Sequence, residues 1–293
     1  MPLQLPKLIA TSVVRGSEQG ESHGGVYTID FENQASEQHI DWNSSDIDWE
    51  GRGADRGLRG IAFDGDEIYI AASDELFCFD RNFNLQHSRR NRYLKHCHEI
   101  CRMGRKLLLT STGHDSLLAY DLDEKALTWG FHLQKIADEW SGFTFDPRRD
   151  SGPAKHNEHH INMVHVDSNG IFLSGLRTSA LLHLTHDHTV QVVCSLPAGT
   201  HNARPYRDGV IFNDTVSDHV RFVSRERGQR SFKIKHYASD EIHFAGIDDS
   251  KIARQAFGRG LCVYEERLLI GGSSPSTISL YDIASGDTIG SVN

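Results

Sequence analysis

Five basic or imidazole side chains recur at equivalent places along this chain. Aligned on the apolar run that follows each one, the segments Leu58-Arg59-Gly60-Ile61, Cys97-His98-Glu99-Ile100, His159-His160-Ile161-Asn162, Thr200-His201-Asn202-Ala203 and Gly258-Arg259-Gly260-Leu261 place Arg59, His98, His160, His201 and Arg259 in one column. Neutral imidazoles converging from separate segments suit zinc, iron, copper or nickel. Three of them with an open coordination position form a catalytic metal arrangement. His98, His160 and His201 are therefore the expected ligands of a divalent transition metal, iron or zinc, with His96 as a weaker fourth candidate. The competing reading has each imidazole capping its own strand through a backbone hydrogen bond or a water.

The neighbours of the column extend the chemistry. Glu99, Asn202 and Asp214 are the candidates for general-base and orienting roles, Asp214 because its loop is expected to open on the same face. Arg59 and Arg259 present guanidinium forks that grip carboxylate, phosphate or sulfate. Arg204 and Asn162 complete the expected substrate contacts, with Arg177 in reserve. The alternative for the arginines is structural, bonding loop carbonyls beneath the Gly-rich turns GRGADRG and FGRG. His183, His186 and His188 in LLHLTHDHTV read as a solvated outer hairpin, and His165, of opposite parity to His160, is expected to point into packing.

To bring these positions together the chain needs a repeated scaffold, and one is visible. Period-2 alternation broken by turn residues runs almost from end to end, while helical periodicity is scarce, which is an all-β signature. In the clearest copy IAF, turn DGD, EIYIAA, LFCFD and LQHS give four strands joined by hairpins, one blade of a β-propeller. Column positions are about 40 residues apart in two steps and about 60 in the other two, against about 40–50 for a blade. The two long steps carry insertions, at Glu139–Pro153 and Ser239–Gln255, the second with a short helix expected over Asp249–Gln255. Both are candidate lids on the face where the inner strands begin.

The N-terminal KLIATSVV and GGVYTIDF match the second and third strands of a blade, with HIDW as a further strand and no innermost partner before them. The expectation is a single domain over residues 1–293, all-β, a six-bladed β-propeller whose first blade is incomplete. A five-bladed ring with an extra hairpin is the alternative.

Composition limits the partners. A net charge of −9 argues against nucleic acid or an anionic membrane surface, either of which calls for a basic face. The N-terminus shows no basic head followed by a long apolar run, and no segment is long and apolar enough to span a bilayer, so a cytoplasmic protein is expected. Five cysteines, mostly inside apolar strand patterns, read as reduced core thiols.

The runs DRGLRGIAFDGDEIYIAASDELF, HCHEI, HHIN, THNARP and GGSSPSTISLYD resemble six-bladed propellers of the NHL and SMP-30/gluconolactonase type, and more closely a bacterial propeller group that shares them. The resemblance covers most of the chain and implies the fold. Lactonase-type relatives hold a divalent cation with Glu, Asn and Asp, whereas the column here is imidazole and guanidinium. Together these readings point to a metal-dependent enzyme, a hydrolase, lyase or oxygenase, with a His-lined site acting on a small anionic molecule. The alternative is a non-catalytic propeller that binds a protein, peptide or metabolite on its top face.

Overall fold

The computed structural model describes residues 5–47, 49, 57–242 and 253–293. Among them the chain forms six antiparallel sheets of consecutive, hairpin-joined strands. This is the all-β, six-bladed propeller, and the five-bladed alternative falls away. Two compact units divide it, one spanning 58–204 and the other 1–57 with 205–293.

The first unit opens with β4 (Leu58–Asp64), β5 (Glu67–Ala72), β6 (Glu75–Phe79) and β7 (Leu85–Arg90). Next come β8 (Ile100–Met103), β9 (Lys106–Ser111), β10 (Ser116–Asp121), β11 (Ala126–Ile136) and β12 (Glu139–Phe145), five strands in one sheet. A third sheet holds β13 (Ile161–Asp167), β14 (Gly170–Gly175), β15 (Ala180–Leu184) and β16 (Val190–Ser195). β17 (Thr200–Tyr206) follows, and the division between units falls inside it.

The middle strands read as nearly continuous apolar runs because both of their faces are covered. In KLLLTS the alternation still decides partners. Leu107 and Leu109 pack with Tyr69, Leu76 and Cys78 of the preceding sheet, while Leu108 packs with Val164, Leu173 and Leu182 of the following one. Outer strands such as β7 bury little, and their polar residues face water.

In the second unit β17 is joined in a sheet by β18 (Gly209–Asp214), β19 (His219–Ser224) and β20 (Gly228–Lys233). The last sheet holds β21 (Gly258–Tyr264), β22 (Leu268–Ser273), β23 (Thr277–Asp282) and β24 (Thr288–Val292). The N-terminal sheet has three strands, β1 (Leu8–Thr11), β2 (Gly25–Asp30) and β3 (Ala35–Asp41). It is the incomplete blade that the sequence suggests. Its Ile29 and Phe31 pack on Ile270, Leu280 and Val292 of the last sheet.

Three expectations need correction. Glu139–Phe145 is no lid over the strand starts: it is the outer fifth strand β12, pairing with the long β11 from Gly130↔Phe145 to Ile136↔Glu139. Its length satisfies backbone groups that a surface loop would leave to water. In the second insertion Ser239–Glu241 forms a 3-10 turn, and most of the expected Asp249–Gln255 helix lies outside the described residues. Among the cysteines, Cys78 and Cys97 are buried, but Cys262 is exposed, since its side chain takes the outward parity of β21. No described helix is long and apolar enough to cross a membrane.

Candidate functional site

Strand starts carry the candidate residues, and bulges shape several of those starts. In β4 the register passes from Leu58↔Ala72 to Ile61↔Ile70, so Arg59 and Gly60 together face a single partner residue. In β13, Asn162 is the extra residue between Ile161↔Gly175 and Met163↔Ser174. Arg259 is likewise extra between Gly258↔Ser273 and Gly260↔Gly272 of β21. A bulge bends the strand and re-aims the unpaired side chain. Arg59, Asn162 and Arg259 are thereby released from the alternation that governs the strands beyond them.

Within the 58–204 unit the start of β4 lies against that of β8. The Gly60 N–H donates to the His98 carbonyl at 3.3 Å. A Cβ on Gly60 would stand 2.6 Å from the Ile100 nitrogen and 2.8 Å from the Glu99 carbonyl carbon, so only glycine permits this approach. Next to it, the buried Thr110 hydroxyl accepts the amides of both His98 and Glu99 at 3.0 Å each. The His98-Glu99 pair is thus fixed on both sides.

The three column imidazoles share one tautomer. His98 Nδ1–H donates to the His96 carbonyl at 2.6 Å, and a carbonyl can only accept. Thr112 Oγ1, 2.8 Å from the same nitrogen, donates its own proton to the Ile161 carbonyl at 2.5 Å. His201 Nδ1–H donates to the Gly199 carbonyl at 3.0 Å. His160 Nδ1–H donates to Asn157 Oδ1 at 3.1 Å, an oxygen that also accepts from Arg177 Nη2 at 3.1 Å. In each neutral ring the lone pair therefore resides on Nε2. His98 and His160 lie with ring centroids 5.3 Å apart, edge to face. His201 is 4% exposed.

Glu99 is the electrostatically distinctive member. It keeps some accessible surface, yet enough protein surrounds it that desolvation pushes its carboxyl up to about 7, against the opposing pull of the nearby Arg204 cation and the Ile100 amide. A carboxyl poised there can give or take a proton near neutrality. The Ile100 N–H donates to its Oε1 at 3.1 Å, which orients the group. Arg204 Nη2 also donates to Asn202 Oδ1 at 3.4 Å. Asn162 is 5% exposed, and neither atom of its amide has a hydrogen-bond partner. Such an orphaned buried amide calls for a ligand or a water.

Among the described residues no group of three or more His, Cys, Asp or Glu side chains is arranged to hold a metal ion. His98 and His160 approach each other, and each of the three rings commits its Nδ1 to an oxygen. His96 adopts a positive φ of 54° and contributes its carbonyl to orienting His98. Arg177 ties down the segment after β12, with Nε donating to the Glu158 carbonyl at 2.6 Å, as the structural alternative proposed.

Two predicted residues belong to the other unit. Asp214 is buried at the end of β18, paired with Arg221 Nε at 2.7 Å and accepting the Ser217 amide at 3.2 Å. Its carboxylate closes the hairpin between β18 and β19. Arg259 lies 4.9 Å from the Phe257 ring centroid, and Arg15 and Arg254 approach the same ring at 5.6 and 5.8 Å. His186 and His188 are exposed in their turn, as expected, while His183 stacks on Phe172 at 4.8 Å.

Thr110, Thr112 and Asn157 escaped the sequence reading. The threonines sit in LLLTSTGHD at the end of a second strand, where hydroxyls facing a neighbour's strand start are a recognisable signal once blades are aligned. Asn157 lies in an insertion, where no repeat marks it.

No protein-family model matches the chain, and no curated protein matches it. Solved structures do, at the level of fold. Virginiamycin B lyase from Staphylococcus aureus matches with a TM-score of 0.50 at 10% identity, covering 80% of this chain and 69% of that one. The C-terminal WD40 domain of Sif2 gives 0.54 at 10%, covering 94% and 81%. A chain of the nidogen/laminin complex gives 0.57 at 9%, covering 98% and 94%. At such identities the likeness establishes the propeller fold alone.

Proposed function

We propose that the starts of β4, β8, β13 and β17 form an enzyme site that moves a proton on a small anionic substrate. The reading rests chiefly on Glu99, a carboxyl raised to about 7 on a segment held by Thr110 and followed across the unit by two oriented imidazoles. Glu99 serves as the general acid or base. His98 and His160 offer Nε2 as further proton acceptors, Arg59 and Arg204 hold the anion, and the amides of Asn162 and Asn202 orient it. Elimination and hydrolysis both need this set of groups, and virginiamycin B lyase is one propeller whose name records an elimination-type activity.

The test is a thermal-shift survey of small carboxylates and phosphate esters. Anions that stabilise the wild-type chain should lose most of that effect in Arg204→Gln and Arg59→Gln, and Glu99→Gln should retain binding while losing turnover of any substrate so found. No stabilising anion, or one indifferent to both arginines, would overturn the reading.

The shared Nδ1–H tautomer favours a second reading, since metal-bound histidines commonly donate their other nitrogen to an oxygen. On it, a divalent transition metal, iron or zinc, binds Nε2 of His98 and His160, with His201 or His96 brought in. Elemental analysis of untagged protein decides: stoichiometric metal that is lost in His98→Ala, His160→Ala and His201→Ala, and kept in His186→Ala, supports it. Binding of a partner protein or peptide, the non-catalytic alternative, predicts neither metal nor an arginine-dependent small anion.

A further inference from the structure

At the ends of the strands opposite the column, two neighbouring sheets of the 58–204 unit border an open cleft of about 390 Å³. Lys106 opens β9, whose far end carries Thr110, and Asp167 closes β13, whose start carries Asn162. At roughly 3.3 Å per residue, the span from Lys106 to Thr110 puts about 13 Å between this cleft and the column.

Its floor is apolar. Leu108, Ala119 and Leu184 are buried there, and Val166, Ile171 and Trp129 pack against them while lining the cleft. Trp129 stacks on Phe131 with ring centroids 6.2 Å apart and an interplanar angle of 14°, which fixes the indole plane. The floor thus offers a shaped apolar surface, the usual lining of a small-molecule site.

Two opposite charges stand at the rim. Lys106 is partly buried, and no carboxylate among the described residues pairs with its ammonium. The adjacent arginines differ, since Asp64 holds both Arg102 at 2.7 Å and Arg105 at 2.6 Å. Asp167 Oδ1 accepts the Asn169 amide at 2.7 Å, which orients the carboxylate, and among the described residues nothing donates to its Oδ2. The Thr185 hydroxyl, also in the lining, is spent on Asp187 within its own turn.

A ligand that matches this cleft needs an apolar body, a negative group for Lys106 and a positive group for Asp167. An apolar acid satisfies the lysine but meets the aspartate as a like charge, and an apolar amine does the reverse. An α-amino acid carries both charges on neighbouring atoms at one end of an apolar side chain.

We propose that this cleft is a second binding site, which takes a free apolar α-amino acid. The side chain lies on the floor against Trp129 and Ile171, the α-carboxylate faces Lys106, and the α-ammonium faces Asp167 Oδ2. The cleft volume falls within the range of small-molecule sites, about 300–1,000 Å³, and the site uses none of the column's groups.

L-phenylalanine, 3-phenylpropionate and phenethylamine, titrated into the full chain near neutral pH, separate the alternatives, because the second lacks the ammonium and the third lacks the carboxylate. The indole N–H signal of Trp129, assigned by its absence from Trp129→Phe, is the readout. Phenylalanine should shift it saturably, and each truncated compound should bind at least about tenfold more weakly, because one rim charge is then covered without a partner. Lys106→Gln should weaken phenylalanine about tenfold without weakening phenethylamine, and Asp167→Asn should weaken phenylalanine without weakening 3-phenylpropionate. Arg204→Gln, which tests the column site, should leave the response intact. A truncated compound that binds as tightly as phenylalanine, a linear and unsaturated response, or unchanged affinity in both rim variants would each overturn the proposal. If either variant does not fold, the comparison of the three compounds on the wild-type chain decides alone.

Discussion

Glu99 shows how a single side chain can carry both a cost and a use. Its folded pKa, about 7, lies above the ordinary 4.5, so the native state binds its proton more tightly than the unfolded chain does. The sign follows from linkage: the group's contribution is fully present below its unfolded pKa and is lost as pH rises through about 7. Glu99→Gln removes that loss. We expect the variant to gain on the wild type as pH rises from 5 to 8, by roughly 2–3 kcal/mol at the upper end, and denaturant titrations across that range check it. A constant difference would mean that Glu99 is solvated. Thiols give a second residue-scale expectation. Burial pushes Cys97 up to about 12, while Cys262 is exposed, so a thiol reagent should label Cys262 rapidly in the native protein and leave Cys97 silent until unfolding.

At the scale of elements, the bulged strand starts are the features to perturb. Gly60 admits the β8 backbone where no Cβ fits. Gly60→Ala should cost about 1–3 kcal/mol and displace Arg59 and Glu99 together, lowering anion binding beyond what stability alone explains. Gly290→Ala, in β24 with open space around the new methyl group, is the matched control and should be within about 0.5 kcal/mol of wild type. Equal losses in the two would remove the special role assigned to the β4–β8 approach. The fifth strand is a different kind of element. It turns an insertion into sheet, and it sets Phe143 and Trp140 against His132 and His159.

For the whole molecule, the three-stranded sheet is the place where native protection should be weakest. Every residue of β1 is only partly buried, and its sheet joins the last one through the small cluster around Ile29 and Phe31. Amide exchange should be fastest in β1 and β3 and slowest in β9 and β10, whose side chains are almost wholly buried. Uniform protection would show that another segment covers the N-terminal sheet. The net charge of −9 also predicts no salt-sensitive binding of DNA or RNA, which a gel-shift series over ionic strength checks.

Much of this was legible in the amino-acid sequence. Alternation of side chains has a period of two, so strands, hairpins and the incomplete first blade could be read from local sequence, and the repeat then placed Arg59, His98, His160 and His201 at strand starts. What periodicity cannot express is an interruption of itself. Bulges at Arg59, Asn162 and Arg259 depend on how one backbone packs on the next, and they shift which side chain leaves the ladder. The tautomers of the histidines depend on carbonyls at Gly199 and His96 and an amide at Asn157, contacts set by loop conformation. Asp214 reads as a loop carboxylate in the sequence, and its pairing with Arg221 is visible only in the fold. Glu99 looked like one acidic residue among many until burial raised its proton affinity. Local sequence dictates which way a strand alternates, whereas dielectric environment and hydrogen-bond partners are properties of the packed neighbours, and only the tertiary structure supplies those.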